Sequence, residues 1–183
     1  IYKVCIGSAI EPAAGGKMDK KAFLDLVEYL GYQIPVCHGA WLSLKSSHNT
    51  TAADIVHGKS GLGNIDLPHA VKNSFCSQIA SEFIYRKAVA YEGRLELLVT
   101  GPMTNVAIAC IEHEDLKKLI SHIYFMGGSV TGGNVTSSAE FNIWVDPEAC
   151  HTVLYSCIDI TMVGLNVSNR AILNKEDVEL LKK

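Results

Sequence analysis

Strand-like and helix-like segments alternate along nearly the whole chain, and this alternation limits the possible folds more than any other feature. LELLVT (95 to 100) is a short apolar run, GPMTN a turn, VAIACIEHEDLKKLI (106 to 120) a helix-length pattern, and HIYFMGG (122 to 128) a second apolar run. The same rhythm precedes and follows them. IYKVCIGSA reads as a strand, and Ala22, Phe23, Leu26, Val27 and Leu30 recur at helical spacing until Gly31 supplies a stop. IPVCHGA reads as a short buried strand, a helical stretch runs to about Ala90, and IDITMVGL (158 to 165) is the last strand. Strands that alternate with helices pair mostly parallel and are covered on both faces, so one α/β domain over residues 1–183 is expected. No internal repeat or linker interrupts it.

Composition excludes several function classes. With 48% of the 183 residues hydrophobic and 19% charged, the chain can build a sizeable core and is not disordered. A net charge of −3 without a Lys/Arg run argues against nucleic acid and anionic membranes as partners. No apolar stretch could span a bilayer and no signal-peptide pattern opens the sequence, so the cytoplasm is the expected compartment. Cysteines 5, 37, 76, 110, 150 and 157 form no CxxC pair and read as buried free thiols. The strand pattern already under way at Ile1 and the helical pattern interrupted after ELLKK lead us to expect a piece of a longer protein.

Polar groups gather where strands end. In a parallel sheet, ligands bind beyond the carboxyl ends of the strands. Thr100-Gly101-Pro102 ends one strand, Met126-Gly127-Gly128 ends the next, and the loop after that one supplies Asn134, Glu140 and Asn142. In AEFNIWVDPEA (139 to 149), read as extended chain, Glu140 and Asn142 share one face while Phe141 and Ile143 take the other. Asp146-Pro147-Glu148 then starts a helix, with Asp146 as its cap. An acid and two amides suit a ligand rich in hydroxyls, because each hydroxyl both gives and receives a hydrogen bond. Residues 40 to 68 are polar and long enough for a functional loop. The plainer alternative makes Glu140 a solvated acid, Asn142 a turn former and the glycines turn residues only. GKSGLGN (58 to 64) follows no strand and opens no helix, so it is not taken as a dinucleotide loop. His113-Glu114-Asp115 reads as a solvated helix face, and His38, His48, His69, His122 and His151 read as structural.

LLVTGPMTNVAIA, FMGGSVTGGNVTSSAEFNIWVDPEA and VHGKSGLGN, in this order and spacing, resemble the nucleoside N-ribohydrolases of the inosine-uridine preferring type. The similarity runs from about Ile34 to the C-terminus. It implies a Rossmann-like fold and hydrolysis of the N-glycosidic bond of ribonucleosides in nucleoside salvage. It also implies a bound Ca²⁺ and assembly as a homodimer or homotetramer. By resemblance, the backbone carbonyl of Thr100 ligates the metal. Met126, Asn134, Glu140 and Asn142 grip the ribose, Asn134 and Glu140 near the 5′-hydroxyl and Asn142 near the 2′- and 3′-hydroxyls. His57 resembles a histidine that closes over the substrate.

The chain departs from the family at both ends. The aspartate-rich DxDxGxDD segment, source of the general base and most metal carboxylates, has no counterpart in residues 1 to 33, and neither has the Gly-Asn pair that precedes the first shared helix. Asp25, on a helix pattern, cannot replace it. The histidine and aspartate that assist the leaving group lie, in the family, beyond the position of Lys183. The family fold is therefore expected to be incomplete here, and the chain alone is expected neither to bind Ca²⁺ nor to supply a catalytic residue. A degenerate paralogue that binds without hydrolysing is the alternative. A phosphorolytic enzyme would need a phosphate cradle, for which no convincing pattern is found. The expected outcome for the chain as printed is no hydrolysis of inosine or uridine in the presence of Ca²⁺; turnover that Glu140→Ala abolishes would overturn it.

Overall fold

The computed structural model describes residues 2–6, 22–45 and 65–182. Four parallel strands form the main sheet in the order β1 (Tyr2–Ile6), β4 (Leu95–Val99), β5 (Ile120–Met126), β6 (Ile160–Val163). Their register sets Leu97 beside Ile123 and Ile123 beside Ile160. A second, two-stranded parallel sheet joins β2 (Val36–His38) to β3 (Phe75–Ile79). The helices are α1 (Ala22–Tyr29), α2 (Ala80–Ala90), α3 (Thr104–Glu112), α4 (Leu116–Leu119), α5 (Phe141–Val145), α6 (Pro147–Leu154), α7 (Leu165–Ser168) and α8 (Lys175–Leu181). The parallel α/β architecture read from the alternation is the one observed.

The period of two along the strands selects the core. Leu95, Leu97 and Val99 of β4 and Ile123 and Phe125 of β5 point to one face and are buried with Ile84 and Ala88 of α2, Val106 and Ala109 of α3, and Ala149 and Val153 of α6. Each large side chain removed from water there contributes about 1.5–3 kcal/mol. Leu98 and Tyr124 point to the opposite face and stay partly exposed. At the end of β5, a Cβ added to Gly127 would stand 2.2 Å from Cζ of Phe125, so the ring lies where only glycine leaves room.

Two elements and the cysteines differ from the sequence reading. The helical stretch up to Ala90 begins only at Ala80; residues 75–79 form a strand, because β2 offers a backbone partner and His38 stacks on Phe75 at 3.9 Å. The helix predicted over 106 to 120 stops at Glu112. His113 turns extended (φ −134, ψ 94) and lies flat on Tyr85 at 3.5 Å, while Tyr85 Oη donates to Asp115 at 3.2 Å. His113-Glu114-Asp115 is thus a helix break held by tertiary contacts, and His113 is half-buried, not a solvated helix face. Among the described cysteines, Cys150 is buried, Cys37, Cys76 and Cys110 are half-buried and Cys157 is exposed, so the reading as buried thiols fails at Cys157.

Helix α1 ends as predicted, with Gly31 at φ +76 and the chain closed by Tyr32 N–H donating to Val27 O at 3.0 Å. Its acids fasten the segment that leads into β3. Asp25, buried, accepts from Ala70 N–H at 2.7 Å and lies 3.2 Å from His69 Nδ1. Glu28 accepts from Val71, Lys72 and Asn73 N–H at 3.0, 2.8 and 2.8 Å. The backbone bonds from Val71 and Asn73, chiefly, hold the Glu28 carboxyl below its ordinary value of 4.5. A carboxylate depressed on folding stabilises fully above its unfolded value and loses that contribution as pH falls through the lowered one. Glu28→Gln is therefore expected to lower the urea midpoint at pH 7, and the gap to wild type should close as the pH drops below about 4.5; a gap independent of pH would refute the charge-assisted clamp.

Candidate functional site

The site is built at the carboxyl ends of β4 and β5, where the backbone stops pairing and its polar groups turn outward. Thr100, exposed, follows β4, and Met126 ends β5. Gly128 then takes φ +67, a conformation that side-chain-bearing residues rarely adopt, and its N–H donates to Glu140 Oε2 at 3.0 Å. The same oxygen accepts from Asn142 N–H at 3.0 Å. Glu140 is thereby the N-cap of α5, with β-region backbone (φ −83, ψ 147).

This corrects the extended reading of 139 to 149: residues 141–145 form a short helix, closed by Trp144 N–H donating to Glu140 O at 2.9 Å. Local propensity in FNIWV favours a strand, but the Glu140 cap and the burial of Asn142 and Val145 outweigh it. Glu140 and Asn142 still meet, though not because they alternate on a strand. Asn142 Nδ2 donates to Met126 O at 2.9 Å, with Thr100 O and Met126 Sδ each at 3.4 Å. Asn134 Oδ1 accepts from Phe141 N–H at 2.9 Å. Five of the residues singled out from the sequence, Thr100, Met126, Asn134, Glu140 and Asn142, are joined through these bonds. His57, GKSGLGN and His48 lie outside the described residues.

Burial and bonding leave particular atoms for a ligand. Glu140 and Asn142 are 3% and 7% exposed. Among the described residues no donor reaches Glu140 Oε1 or Asn142 Oδ1, and Asn134 Nδ2 is turned from the bond that fixes its Oδ1. Acceptors and a donor held this way match hydroxyl groups. Cys150 lies behind them, its thiol pushed up to about 11 by burial and then by the charges of Asp146 and Glu140, so it stays protonated and is no nucleophile.

The described residues do not make a calcium site. Ca²⁺ takes six to eight oxygens, whereas Thr100 contributes one neutral carbonyl, and no group of three or more His, Cys, Asp or Glu stands together among the described residues.

Sequence reasoning missed the support beneath the site. Asp146, 0% exposed, does cap α6 through Ala149 N–H at 3.0 Å, but its Oδ2 also accepts from Thr104 Oγ1 at 2.7 Å and from Leu44 N–H at 2.9 Å. Asn105, buried, accepts from Ala40 N–H at 2.7 Å. Two polar residues opening an apolar helix in TGPMTNVAIA were the available signal, and turn chemistry alone explained them.

The family described as "Inosine-uridine preferring nucleoside hydrolase" matches residues 18–183. A pyrimidine-specific ribonucleoside hydrolase RihA of Photobacterium profundum is 37% identical over 180 residues, 96% of this chain and 57% of the relative. The RihA of Klebsiella pneumoniae is 35% identical over 181 residues, again 96% and 57%. Among solved structures, a plant nucleoside hydrolase superposes with TM-score 0.81 at 31% identity, covering 89% of this chain and 52% of that one. A purine-preferring ribonucleoside hydrolase from Gardnerella vaginalis gives TM-score 0.82 at 28% identity, with 88% and 52% covered. The chain spans a little over half the length of the curated relatives it matches.

Asp146→Ala is expected to lower unfolding free energy by on the order of 3 kcal/mol, since it removes a cap and strands two further donors. Thr104→Val should cost about 1–2 kcal/mol. Urea denaturation followed by far-UV circular dichroism reads both; equal, negligible losses would show that the carboxylate holds nothing.

Proposed function

The chain belongs to the inosine-uridine preferring nucleoside hydrolase family, and on that premise we propose that it grips the ribose of a ribonucleoside whose N-glycosidic bond is hydrolysed to free base and sugar. The observation that carries this reading is the convergence of Met126, Asn134, Glu140 and Asn142 through direct hydrogen bonds at the ends of two adjacent parallel strands. Their unspent atoms are the complement of a pentose: Glu140 Oε1 and Asn134 Nδ2 for the 5′-hydroxyl, Asn142 Oδ1 for the 2′ and 3′ pair. A site that bonds each hydroxyl discriminates strongly against sugars lacking one.

Breaking the bond between C1′ and the base nitrogen builds positive, oxocarbenium-like charge on the sugar. The carboxylate of Glu140 and the amide oxygen of Asn142 are held before the reaction begins, so they favour that charge without reorganising. The reading includes, for a complete enzyme of the family and not for this chain alone, a calcium ion that would take the Thr100 carbonyl as one ligand; it also includes a cytoplasmic setting and possible assembly as a homodimer or homotetramer. Among the described residues no helix is long and apolar enough to cross a membrane. The relatives divide between pyrimidine-specific and purine-preferring enzymes, so the substrate class is proposed as ribonucleosides and the sugar as the part these residues recognise.

The test is equilibrium titration of the chain with uridine and inosine in calcium-containing buffer. Asn142→Ala and Glu140→Gln should each weaken both ligands by about ten- to a hundredfold, an amount fitting one or two lost bonds to a polar ligand. Equal affinity in wild type and both variants removes these side chains from the site.

A further inference from the structure

The sequence holds no CxxC pair, but the fold makes a thiol pair of another kind. Cys37 lies in β2 and Cys76 in β3, the two neighbouring parallel strands of the small sheet. The register that sets Val36 beside Phe75 brings the next residue of each strand, Cys37 and Cys76, side by side. Val36 and Phe75 pack with Leu24 and Val27 of α1, so their successors turn to the opposite face. There the two thiols are within hydrogen-bonding reach of each other, and the ammonium of Lys87, from α2, stands near enough to Cys37 to favour its thiolate.

Adjacent strands run about 4.8 Å apart, a separation inside the roughly 4.4–6.8 Å between α-carbons that a disulfide spans. Both cysteines are free and half-buried, neither enclosed like Cys150 nor open like Cys157, so a small oxidant can reach them. The two thiols do not play the same part. Burial, and after it the contact with Cys76, pushes the Cys37 thiol up to about 12 against the opposing pull of Lys87, so Cys37 stays protonated and is not the sulfur that attacks first. Once Cys76 is a neutral sulfenic acid, the neighbouring charge that resists ionisation of Cys37 is gone.

We propose that Cys37 and Cys76 are a redox-sensitive dithiol, which hydrogen peroxide converts to a disulfide that staples β2 to β3. The Cys76 sulfur, as thiolate, attacks one peroxide oxygen; the O–O bond breaks, the sulfur becomes a sulfenic acid, and the other oxygen leaves as hydroxide and takes up a proton to become water. The Cys37 sulfur then attacks the sulfenic sulfur; the S–S bond forms, the S–O bond breaks, and the leaving hydroxide carries off the Cys37 proton as water. Two thiols thus lose two electrons and two protons, and the peroxide that receives them becomes two waters. The new bond closes a covalent loop between the strands and removes freedom from the unfolded chain. In the reducing cytoplasmic setting proposed above, such a bond forms under oxidant and is returned to thiols afterwards.

The test uses the whole chain at low concentration, with hydrogen peroxide as oxidant and dithiothreitol as reductant. Peptide mapping under non-reducing conditions is expected to recover Cys37 and Cys76 in one cross-linked fragment, with no covalent link between chains. The thermal midpoint should rise by about 5–10 °C on oxidation and return with dithiothreitol. Cys37→Ser and Cys76→Ser should each abolish that reversible rise, and Cys157→Ser, at the exposed cysteine, should keep it. Mapping of the wild-type chain decides the bond even where a serine variant fails to fold. A disulfide mapped to any other pair, a sulfinic acid at Cys76 with Cys37 still a thiol, a pair that survives peroxide sufficient to oxidise Cys157, or a midpoint that oxidation leaves unchanged overturns the proposal. Uridine and ribose take no part in the readout, so failure here is distinct from failure of the ribonucleoside reading.

Discussion

A carboxylate withdrawn from water must find donors inside the protein, and Asp146 finds three on three different segments. It caps α6 through Ala149, holds α3 through Thr104 and stops the turn after β2 through Leu44. Without those partners the buried charge would cost several kcal/mol. With them, the stretch from Thr100 to Thr104 and the stretch from Asn142 to Asp146 are laid side by side, which is the condition for Asn142 to reach Thr100 and Met126. The polar rim thus depends on a contact that itself faces no ligand.

Parallel pairing explains why the rim lies where it does. β4 and β5 run side by side in the same direction, so both release their last carbonyls at one end of the sheet. Two glycines then shape the exit of β5: Gly127 gives way to the Phe125 ring, and Gly128 turns its N–H toward Glu140. Glu140 uses one oxygen to satisfy two backbone donors, and the other accepts no bond among the described residues. One side chain therefore serves as helix cap and as candidate sugar contact, and neither role competes with the other.

Where sequence and structure part, tertiary contacts overrule local pattern. Phe75 to Ile79 read locally as part of a helix because their strand partner among the described residues, Val36 to His38, lies far away in sequence. The helix through His113 looked continuous because stacking against Tyr85 leaves no periodic trace. Glu140 and Asn142 do not share the face of a strand: Glu140 caps a short helix and accepts from the backbone N–H of Asn142, whose amide turns to the end of β5. The motif residues were legible since polar groups beside Gly-rich strand ends are costly unless they bind something; Asn105 and Thr104 were not, since their partners at Ala40 and Asp146 lie 65 and 42 residues away.

The order of residues by itself determined the parallel α/β class, the apolar faces of the strands, the stop at Gly31 and the cap at Asp146, because each depends on periodicity or on chemistry within a few positions of the chain. Only the tertiary structure decided that Asp146 has duties beyond its own helix, that residues 141–145 coil, and that the turn after β2 is fastened to Asn105 and Asp146. Those outcomes depend on which distant backbone groups become the nearest available donors once the sheet has closed, and no local spacing encodes that.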